Sequence, residues 1–518
     1  MQGVGFRPFI YNLAKEYALK GWVLNSTEGV SIEVEGEKDH LMSFVRRMEQ
    51  QPPPLAMIDF VDVSYLPPAH YKTFTIKAST GDSSKYMKVS PDVCTCPDCL
   101  RELYDPQDRR YGYPFLNCTN CGPRFTIIED IPYDRQKTTM REFKMCPECQ
   151  AEYDDPGNRR FHAQPNACPV CGPSVTLEDH QGSMECDDPI KKAIELMCSG
   201  EIIAVKGLGG FHLACDAGND SALQTLRERK RRNLKPFAIM CKNLERVKEL
   251  CAVNAEEEQL LKSVQRPIVL LRKLHDCPIS ESVAPYNKYL GVMLPYTPLH
   301  YLLLDNILIA LVMTSGNISE EPIAVDNEEA KRRLADLADY FLFHNRHIRM
   351  RCDDSVTMVH DGHPVMLRRS RGYAPHPVDL DFSMKEILAC GPELKNTFCL
   401  TKDNHAFISH HIGDLQNEEA YSYYQDAIEH YKSLFRVDPE IIAYDLHPEY
   451  LSTRYALEQN GMDAVGVQHH HAHVVSCIAE NSLSQKIIGV ACGHQCQGIK
   501  PTTPKPYPRK QFVFSPPD

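Results

Sequence analysis

Eight cysteines between residues 96 and 171 have the type and spacing of metal ligands. They fall as Cys96-Pro-Asp-Cys99, Cys118-Thr-Asn-Cys121, Cys146-Pro-Glu-Cys149 and Cys168-Pro-Val-Cys171. Within each half, 18 residues separate the two pairs, and the whole unit recurs with a shift of 50. Two Cys-x-x-Cys knuckles at this spacing bring four thiolates around one zinc ion, and four soft ligands with no open position make a structural site. Disulfides and redox dithiols share the Cys-x-x-Cys element, but a duplicated four-cysteine spacing favours two zinc sites. The repeat extends beyond cysteine: Asp105-Pro106 returns as Asp155-Pro156, Arg109-Arg110 as Arg159-Arg160, and Gly122-Pro123 as Gly172-Pro173. Cys94 lies outside the pattern and is expected not to be a ligand.

Three further constellations carry charge or metal-binding atoms. The first is the turn Gln2-Gly3-Val4-Gly5-Phe6-Arg7-Pro8, which runs into an amphipathic helix. A glycine turn at a helix N-terminus leaves N–H groups for an anion, and Arg7 adds a forked donor. The second combines Lys206-Gly-Leu-Gly-Gly-Phe-His212, the basic run Arg227–Arg232, Ser315-Gly-Asn317, and Arg349, Arg351 and Arg368–Arg371. Cations beside strand ends and glycine turns suit a nucleoside triphosphate. The third is His469-His-His-Ala-His473, whose outer pair is four apart and can project from one helical face towards a metal. A capped helix start is the plainer alternative for that cluster. Arg109, Arg110, Arg159 and Arg160 could face nucleic acid, but in an acidic chain the reading favoured is that they anchor neighbouring carboxylates.

The elements that must position these residues follow from length and periodicity. At 518 residues the chain is too long for one core, and the length suggests roughly three to four domains. The net charge of −12 argues against a dominant nucleic-acid or membrane role and permits a local basic groove. Of 21 cysteines, 13 lie outside the eight and lack a framework spacing. With no signal peptide and no apolar run able to span a bilayer, the chain reads as a protein of the reducing cytosol. Residues 1–80 read as helix, strand pair (21–25 and 30–34), helix (38–50) and strand (72–78). Residues 86–175 show little periodicity and need metal to fold. Residues 185–378 alternate helices and strands, among them a helix at 190–197, a buried strand at 202–205 and strands near 266–271 and 308–313. Residues 384–491 begin with Gly391–Thr397 and a hairpin of 398–400 with 406–409, then a helix, a strand at 441–445 and the histidine helix. Residues 492–518 show no periodicity and are expected to be a disordered, aberrant tail.

Gln-Gly-Val-Gly-Phe-Arg-Pro (2–8) with Gly21-Trp-Val-Leu-Asn25 resembles the acylphosphatase family. The resemblance implies a ferredoxin-like sandwich in which Arg7 binds phosphate and Asn25 positions the attacking water. A strand precedes the turn in that family, so this chain is expected to be cut short at its start. Lys230-x-Arg232 with Ser315-x-Asn317 resembles the YrdC/Sua5 family, which makes carbamoyl-type adenylates. This implies an ATP site lined by Lys230, Arg232, Ser315 and Asn317, with Lys206, His212 and Arg351 as neighbours. Asn233 stands where that family has proline, and the family's association with double-stranded RNA extends the expectation to RNA. Leu394-Lys-Asn-Thr397, Ser409-His-His-Ile-Gly-Asp-Leu415 and His469–His473 resemble the Kae1-like carbamoyltransferase domain of actin-like fold. There His469 and His473 would ligate a divalent metal. The pattern ends near Ala491, so the second lobe of that fold is expected to be missing.

In this order the four modules resemble the HypF family, the carbamoyltransferases of nickel–iron hydrogenase maturation. The resemblance implies a multidomain α/β protein: an acylphosphatase sandwich, two four-cysteine zinc units, a YrdC-like domain and part of a Kae1-like domain. It implies a relay in which carbamoyl phosphate is hydrolysed, carbamate is joined to ATP, and the carbamoyl group passes to the C-terminal cysteine of a partner, HypE. Two other readings stand beside it: a tRNA threonylcarbamoyladenosine-type synthase, and a zinc-ribbon RNA-binding protein.

Overall fold

The computed structural model describes the chain apart from residues 1–4, 27–28, 54, 57, 59, 78–88, 305–307, 319–320, 482, 484–486, 492–511 and 515–518. It divides into two compact units. The first is residues 1–319, 323–376 and 434–436, and the second is residues 320–322, 377–433 and 437–518.

At the start of the first unit, helix Phe6–Glu16 buries Phe6, Ile10, Leu13 and Ala14, the i, i+4, i+7, i+8 stripe of an amphipathic helix. It packs with helix Lys38–Gln50 against a three-stranded sheet. Strand Lys20–Ser26 is central there, antiparallel to Gly29–Glu35 and parallel to Phe74–Ile76. Among the described residues no strand pairs with the outer edge of Gly29–Glu35. Phe60, Tyr65 and Leu66, in the segment before the last strand, are exposed.

The cysteine-rich region is more ordered than its lack of periodicity suggests. The Cys96-Pro97 and Cys146-Pro147 steps each start an eight-residue helix, Pro97–Tyr104 and Pro147–Asp154. Proline at the first helical position has its φ already set and no N–H to leave unpaired, so the knuckle and the helix start are one feature. The region packs a small core of Tyr113, Phe115, Leu116, Ile127, Met140 and Ala167 around the buried cysteines.

The rest of the unit is one large mixed sheet. Its strand order is His363–Arg368, Val356–His360, Ile268–Lys273, Tyr289–Met293, Ala238–Met240, Leu311–Ser315, Phe211–Asp216, Ile203–Lys206, Tyr340–His344 and Val175–Glu178. The last of these strands follows directly on the second cysteine repeat, so the sheet runs on from that region. Helices flank the sheet, and two apolar clusters lie against it, one around Phe211, Val269, Val292 and Phe341, the other around Met197, Val205, Met293 and Leu342.

The second unit contains a five-stranded sheet ordered Val378–Met384, Cys399–Ile408, Ile387–Ala389, Ile441–Asp445 and Asp463–Val467. Helix Glu418–Phe435 contributes the fully buried Tyr424, Ala427, Ile428 and Tyr431 to its core, beside Leu388, Leu400 and Phe407 from the strands. The hairpin expected at 398–409 is instead one continuous strand, Cys399–Ile408. Asp403, at φ 54°, pairs with Met384 where the register shifts, and the extra residues of that shift lie in the neighbouring strand Val378–Met384. An Asp in the left-handed region marks such an irregularity as readily as a turn. Of the tail, Phe512–Phe514 forms a strand antiparallel to Ile487–Gly489. The remaining residues of 492–518, on which the expectation of disorder falls, lie outside the described residues.

Candidate functional site

The eight cysteines gather into two groups of four, each with all sulfurs within 4.8 Å of one another. Sγ–Sγ separations are 3.5–3.8 Å in the first group and 3.6–3.8 Å in the second. A tetrahedron with Zn–S bonds of about 2.3 Å has edges of about 3.8 Å. Both groups therefore fit zinc, as the spacing implies. Cys94 is not a member; it is buried in the core beside the sheet, with its N–H on Val264 O.

The paired arginines turn inwards. Arg159 and Arg160 both bond to Glu102, and Arg109 and Arg110 both bond to Glu152. Burial alone would raise the Glu152 carboxyl, but Arg110 and Arg109 hold it down at about 2. Arg110 and Arg160 are nearly inaccessible, 1% and 4% exposed, which removes them from any nucleic-acid face. Glu102 and Glu152 obey the same shift of 50 as the cysteines, a signal that was present in the sequence and is missed when only cysteine and arginine are followed.

Gly5 caps helix Phe6–Glu16 with φ 71°, and Phe9 N–H bonds its carbonyl. A Cβ at Gly5 would lie 2.9 Å from Asn120 Oδ1 and 3.5 Å from Thr119, so the turn rests on the first cysteine repeat. Burial lowers the pKa of the half-buried Arg7, against the opposing influence of Asp134 and Tyr153. The expected anion turn is thus backed by the metal-binding region, which the acylphosphatase motif alone does not reveal. Residues 2–4 of the turn lie outside the described residues. Asn25 sits on strand Lys20–Ser26 opposite Val30.

Lys230, Arg232, Ser315 and Asn317 come together from segments 85 residues apart. Lys230 ends helix Asp220–Arg229, and its ammonium donates to Ser315 O at 2.6 Å, to Asn317 Oδ1 at 3.0 Å and to Asn317 O. Ser315 Oγ donates to Asn317 Oδ1 at 2.7 Å. Arg232 Nη1 donates to Thr314 Oγ1 at 3.2 Å, and burial with Arg227 and Arg368 nearby brings its pKa down to about 10. The intervening loop is tied by Arg227, which donates to the carbonyls of Arg232, Asn233 and Lys235 and to Ser282 and Val283. The protons of the Lys230 ammonium are taken by Ser315 and Asn317, so what the constellation offers phosphates is positive charge fixed at the end of a central strand.

The three neighbours behave differently. His212 pairs in register with Ser315, but its Nε2 is directed to Asp354 Oδ2 at 3.1 Å. Asp354 in turn receives Arg371 Nε at 2.7 Å. Lys206 donates to Asn327 Oδ1 at 2.7 Å and His344 O at 3.1 Å, and burial brings its pKa down to about 8. Arg351 pairs with Glu329 at 3.2 Å. Lys206 and Arg351 therefore bond around helix Asn327–Arg333 rather than to Lys230. The glycine turn at 207–210 is also filled from within. A Cβ on Gly209 would lie 2.5 Å from Cys352 O, and one on Gly210 2.3 Å from Ile323 Cδ1. Those glycines admit the protein's own chain, the Cys352 carbonyl at Gly209 being one of the two occupants, phosphate or carbonyl, that such a turn allows.

In the second unit, helix His469–Glu480 follows strand Asp463–Val467 directly, capped by the Gln468 side chain on His471 N–H. His469 Nε2 and His473 Nε2 face each other at 3.1 Å, and His469 Nδ1 is held by Asp445 Oδ2 at 2.6 Å. Two imidazoles on one cation, with bonds of about 2.1 Å, bring their nitrogens to about 3.0–3.4 Å. The carboxylate behind His469 fixes the tautomer that leaves Nε2 free for a ligand. Asp445, 24 residues upstream, was not among the residues expected at this site.

Four family models match the chain in order: acylphosphatase (residues 1–76), HypF finger (95–128 and 145–178), telomere recombination, the Sua5, YciO and YrdC model (195–370), and HypF Kae1-like domain (383–480). The carbamoyltransferase HypF of Synechocystis sp. is 47% identical over 495 residues, covering 95% of this chain and 64% of that protein. The crystal structure of full-length HypF in the phosphate- and nucleotide-bound form superimposes with a TM-score of 0.88 at 53% identity, over 94% of this chain and 64% of that one. The T. kodakarensis HypF structure gives a TM-score of 0.86 at 45% identity, with coverage of 95% and 64%. The chain thus spans 64% of the length of these relatives. The four family models cover the acylphosphatase turn, the twin cysteine tetrads, the Lys230 constellation and the histidine helix, in that order, and the chain belongs to the HypF family.

Proposed function

We propose that this chain performs the carbamoyl-activating steps of nickel–iron hydrogenase maturation. The observation that carries the reading is the Lys230–Arg232–Ser315–Asn317 constellation, held on the same chain as an acylphosphatase turn. At the turn, Arg7 holds the phosphoryl group of carbamoyl phosphate and Asn25 orients the water, giving carbamate and phosphate. In the sheet domain, a carbamate oxygen attacks the α-phosphorus of ATP. Pyrophosphate leaves and carbamoyl adenylate remains, with Lys230 and Arg232 balancing charge on the phosphates and Ser315 and Asn317 fixing their position. The crystallised full-length relative contains phosphate and nucleotide, which supports two such sites. Enclosure matters because carbamate decomposes in water.

The acceptor is the C-terminal cysteine thiolate of HypE, whose sulfur attacks the carbamoyl carbon as AMP departs. His469 and His473 hold a divalent metal in this reading, and Asp445 orients His469. Asp445→Ala should weaken metal binding by about 10- to 100-fold in a titration of the full chain; unchanged affinity would remove the metal from the proposal. The reducing cytoplasm is the compartment in which eight metal-ligating thiolates persist.

Separating the two steps tests the reading. Arg7→Ala should cut phosphate release from carbamoyl phosphate by about 100-fold and leave ATP–pyrophosphate exchange intact when carbamate is supplied. Lys230→Ala should do the reverse, lowering exchange by about 100-fold or more. Loss of both activities in both variants would contradict the assignment of separate sites.

A further inference from the structure

The two cysteine tetrads do not stand side by side as independent modules, because their arginines are exchanged. Arg159, from the second repeat, donates to Cys99 Sγ of the first at 3.3 and 3.4 Å and approaches Cys96 Sγ at 4.0 Å. Arg109, from the first repeat, donates to Cys149 Sγ of the second at 3.3 Å, and Arg110 does so at 3.5 Å. The carboxylates that hold these guanidinium groups are exchanged in the same sense. Glu102 of the first repeat holds Arg159 and Arg160, and Glu152 of the second holds Arg109 and Arg110.

Main-chain bonds lock the exchange. Thr119 donates through N–H and Oγ1 to Arg159 O at 3.2 and 2.8 Å. Asn117 Nδ2 donates to Pro165 O, Arg110 Nε to Ala167 O and Arg160 Nε to Asn117 O, at 2.9, 2.9 and 3.2 Å.

Four thiolates on a divalent ion leave two net negative charges in a small, largely buried core. N–H donors to the sulfurs offset that charge and lower the tendency of the thiolates to leave the metal. Asn120 N–H donates to Cys118 Sγ at 3.4 Å from within its own repeat, but the charged donors, the guanidinium groups, come from the opposite one. Each repeat also needs its own metal to fold, since little apolar core is present without it. A repeat that loses zinc therefore withdraws the arginines that cap its neighbour.

We infer that the two zinc sites are coupled through the exchanged arginines, so that each repeat sets the metal affinity of the other and emptying one site loosens the second. The test uses the full zinc-loaded chain. Zinc release into excess chelator is followed with a chromogenic zinc indicator, while the exposed cysteines are alkylated and located by mass spectrometry. Arg159→Ala should speed release from Cys96, Cys99, Cys118 and Cys121 by about 10- to 100-fold, and Arg109→Ala should do so at Cys146, Cys149, Cys168 and Cys171. Cys96→Ser, which disables the first site, should speed release from the second by a similar factor. Arg159→Lys and Arg109→Lys keep the charge and lose the forked donor, so they give the same crossed pattern at smaller amplitude even if the alanine chains do not accumulate. Faster release confined to the arginine's own repeat, a second site indifferent to Cys96→Ser, or unchanged release at both sites would each overturn the coupling.

Discussion

Removing zinc with a strong chelator, or replacing Cys99 with Ser, is expected to unfold the region around residues 95–175 while the central sheet persists. The apolar core of this region is small and is built around the cysteines themselves, with Cys99, Cys118, Cys121 and Cys149 buried. Its other buried groups are costly without a fixed frame. The Arg124 guanidinium donates to the carbonyls of Cys121, Pro123 and Thr119 at 3.0, 2.8 and 2.9 Å, wrapping the knuckle that the metal closes. A structural zinc site contributes about 10–16 kcal/mol of binding free energy at neutral pH, comparable with the whole net stability of about 5–15 kcal/mol of an ordinary domain. Hydrogen exchange read by mass spectrometry should show protection lost across 95–175 and retained in strands Ile203–Lys206 and Phe211–Asp216. Because Gly5 rests on Thr119 and Asn120, phosphate release at the Arg7 turn should fall as well. Full protection after chelation would mean that the cysteine tetrads are not what holds the region together.

The second large effect is expected at Asp354. This carboxylate is buried, receives Arg371 Nε at 2.7 Å and His212 Nε2 at 3.1 Å, and anchors three parts of the sheet domain. Arg371 also donates to the carbonyls of Gln265 and Arg266, at 3.0 and 2.9 Å, and its guanidinium lies 3.4 Å from the centre of the Tyr296 ring. Asp354→Ala leaves a buried guanidinium without its counter-charge, a change worth about 3–5 kcal/mol. For a domain of this size that is about 10 °C in the melting transition. The pH dependence has a defined sign. Burial raises the Asp354 carboxyl, but Arg371 and His212 overcome it and hold the folded-state pKa well below the usual carboxylate range. The stabilisation is therefore complete above the unfolded value of about 3.9 and is lost as pH falls below it towards the folded value. The gap in melting temperature between wild type and Asp354→Ala should be constant between about pH 5 and about pH 7, and narrow below about pH 4. A gap independent of pH, or a variant as stable as wild type, would contradict the pairing.

What the sequence made legible follows from distance along the chain. The zinc ligands were readable because all eight lie in a short, duplicated spacing that favours a metal over disulfides or redox dithiols. Lys230, Arg232, Ser315 and Asn317 were readable as two short motifs, although nothing local says that Lys230 reaches Ser315 and Asn317. Asp354 was not readable, since it meets His212 across 142 residues and only the sheet order brings them together. Asp445 escaped for the same reason at shorter range. Lys206 and Arg351 were assigned by proximity to motifs, and the structure engages both around helix Asn327–Arg333. The Gly209 and Gly210 turn left phosphate and carbonyl open as occupants, and the close approach is made by the Cys352 carbonyl and by Ile323. The hairpin read from 398–400 and 406–409 is one long strand, and the irregularity in its pairing falls in its neighbour Val378–Met384. Local residue type states what a backbone permits, and the choice among permitted states is made by partners far away in sequence.

The central claim is that carbamate made from carbamoyl phosphate is adenylated on this chain. Its most direct test is ATP–pyrophosphate exchange by the purified zinc-loaded protein, with carbamoyl phosphate supplied in one assay and threonine with bicarbonate in another. The account predicts exchange with carbamoyl phosphate, abolished by Lys230→Ala, and none above background with threonine and bicarbonate. Exchange driven by threonine and bicarbonate, or silence with carbamoyl phosphate and with carbamate alike, would contradict it.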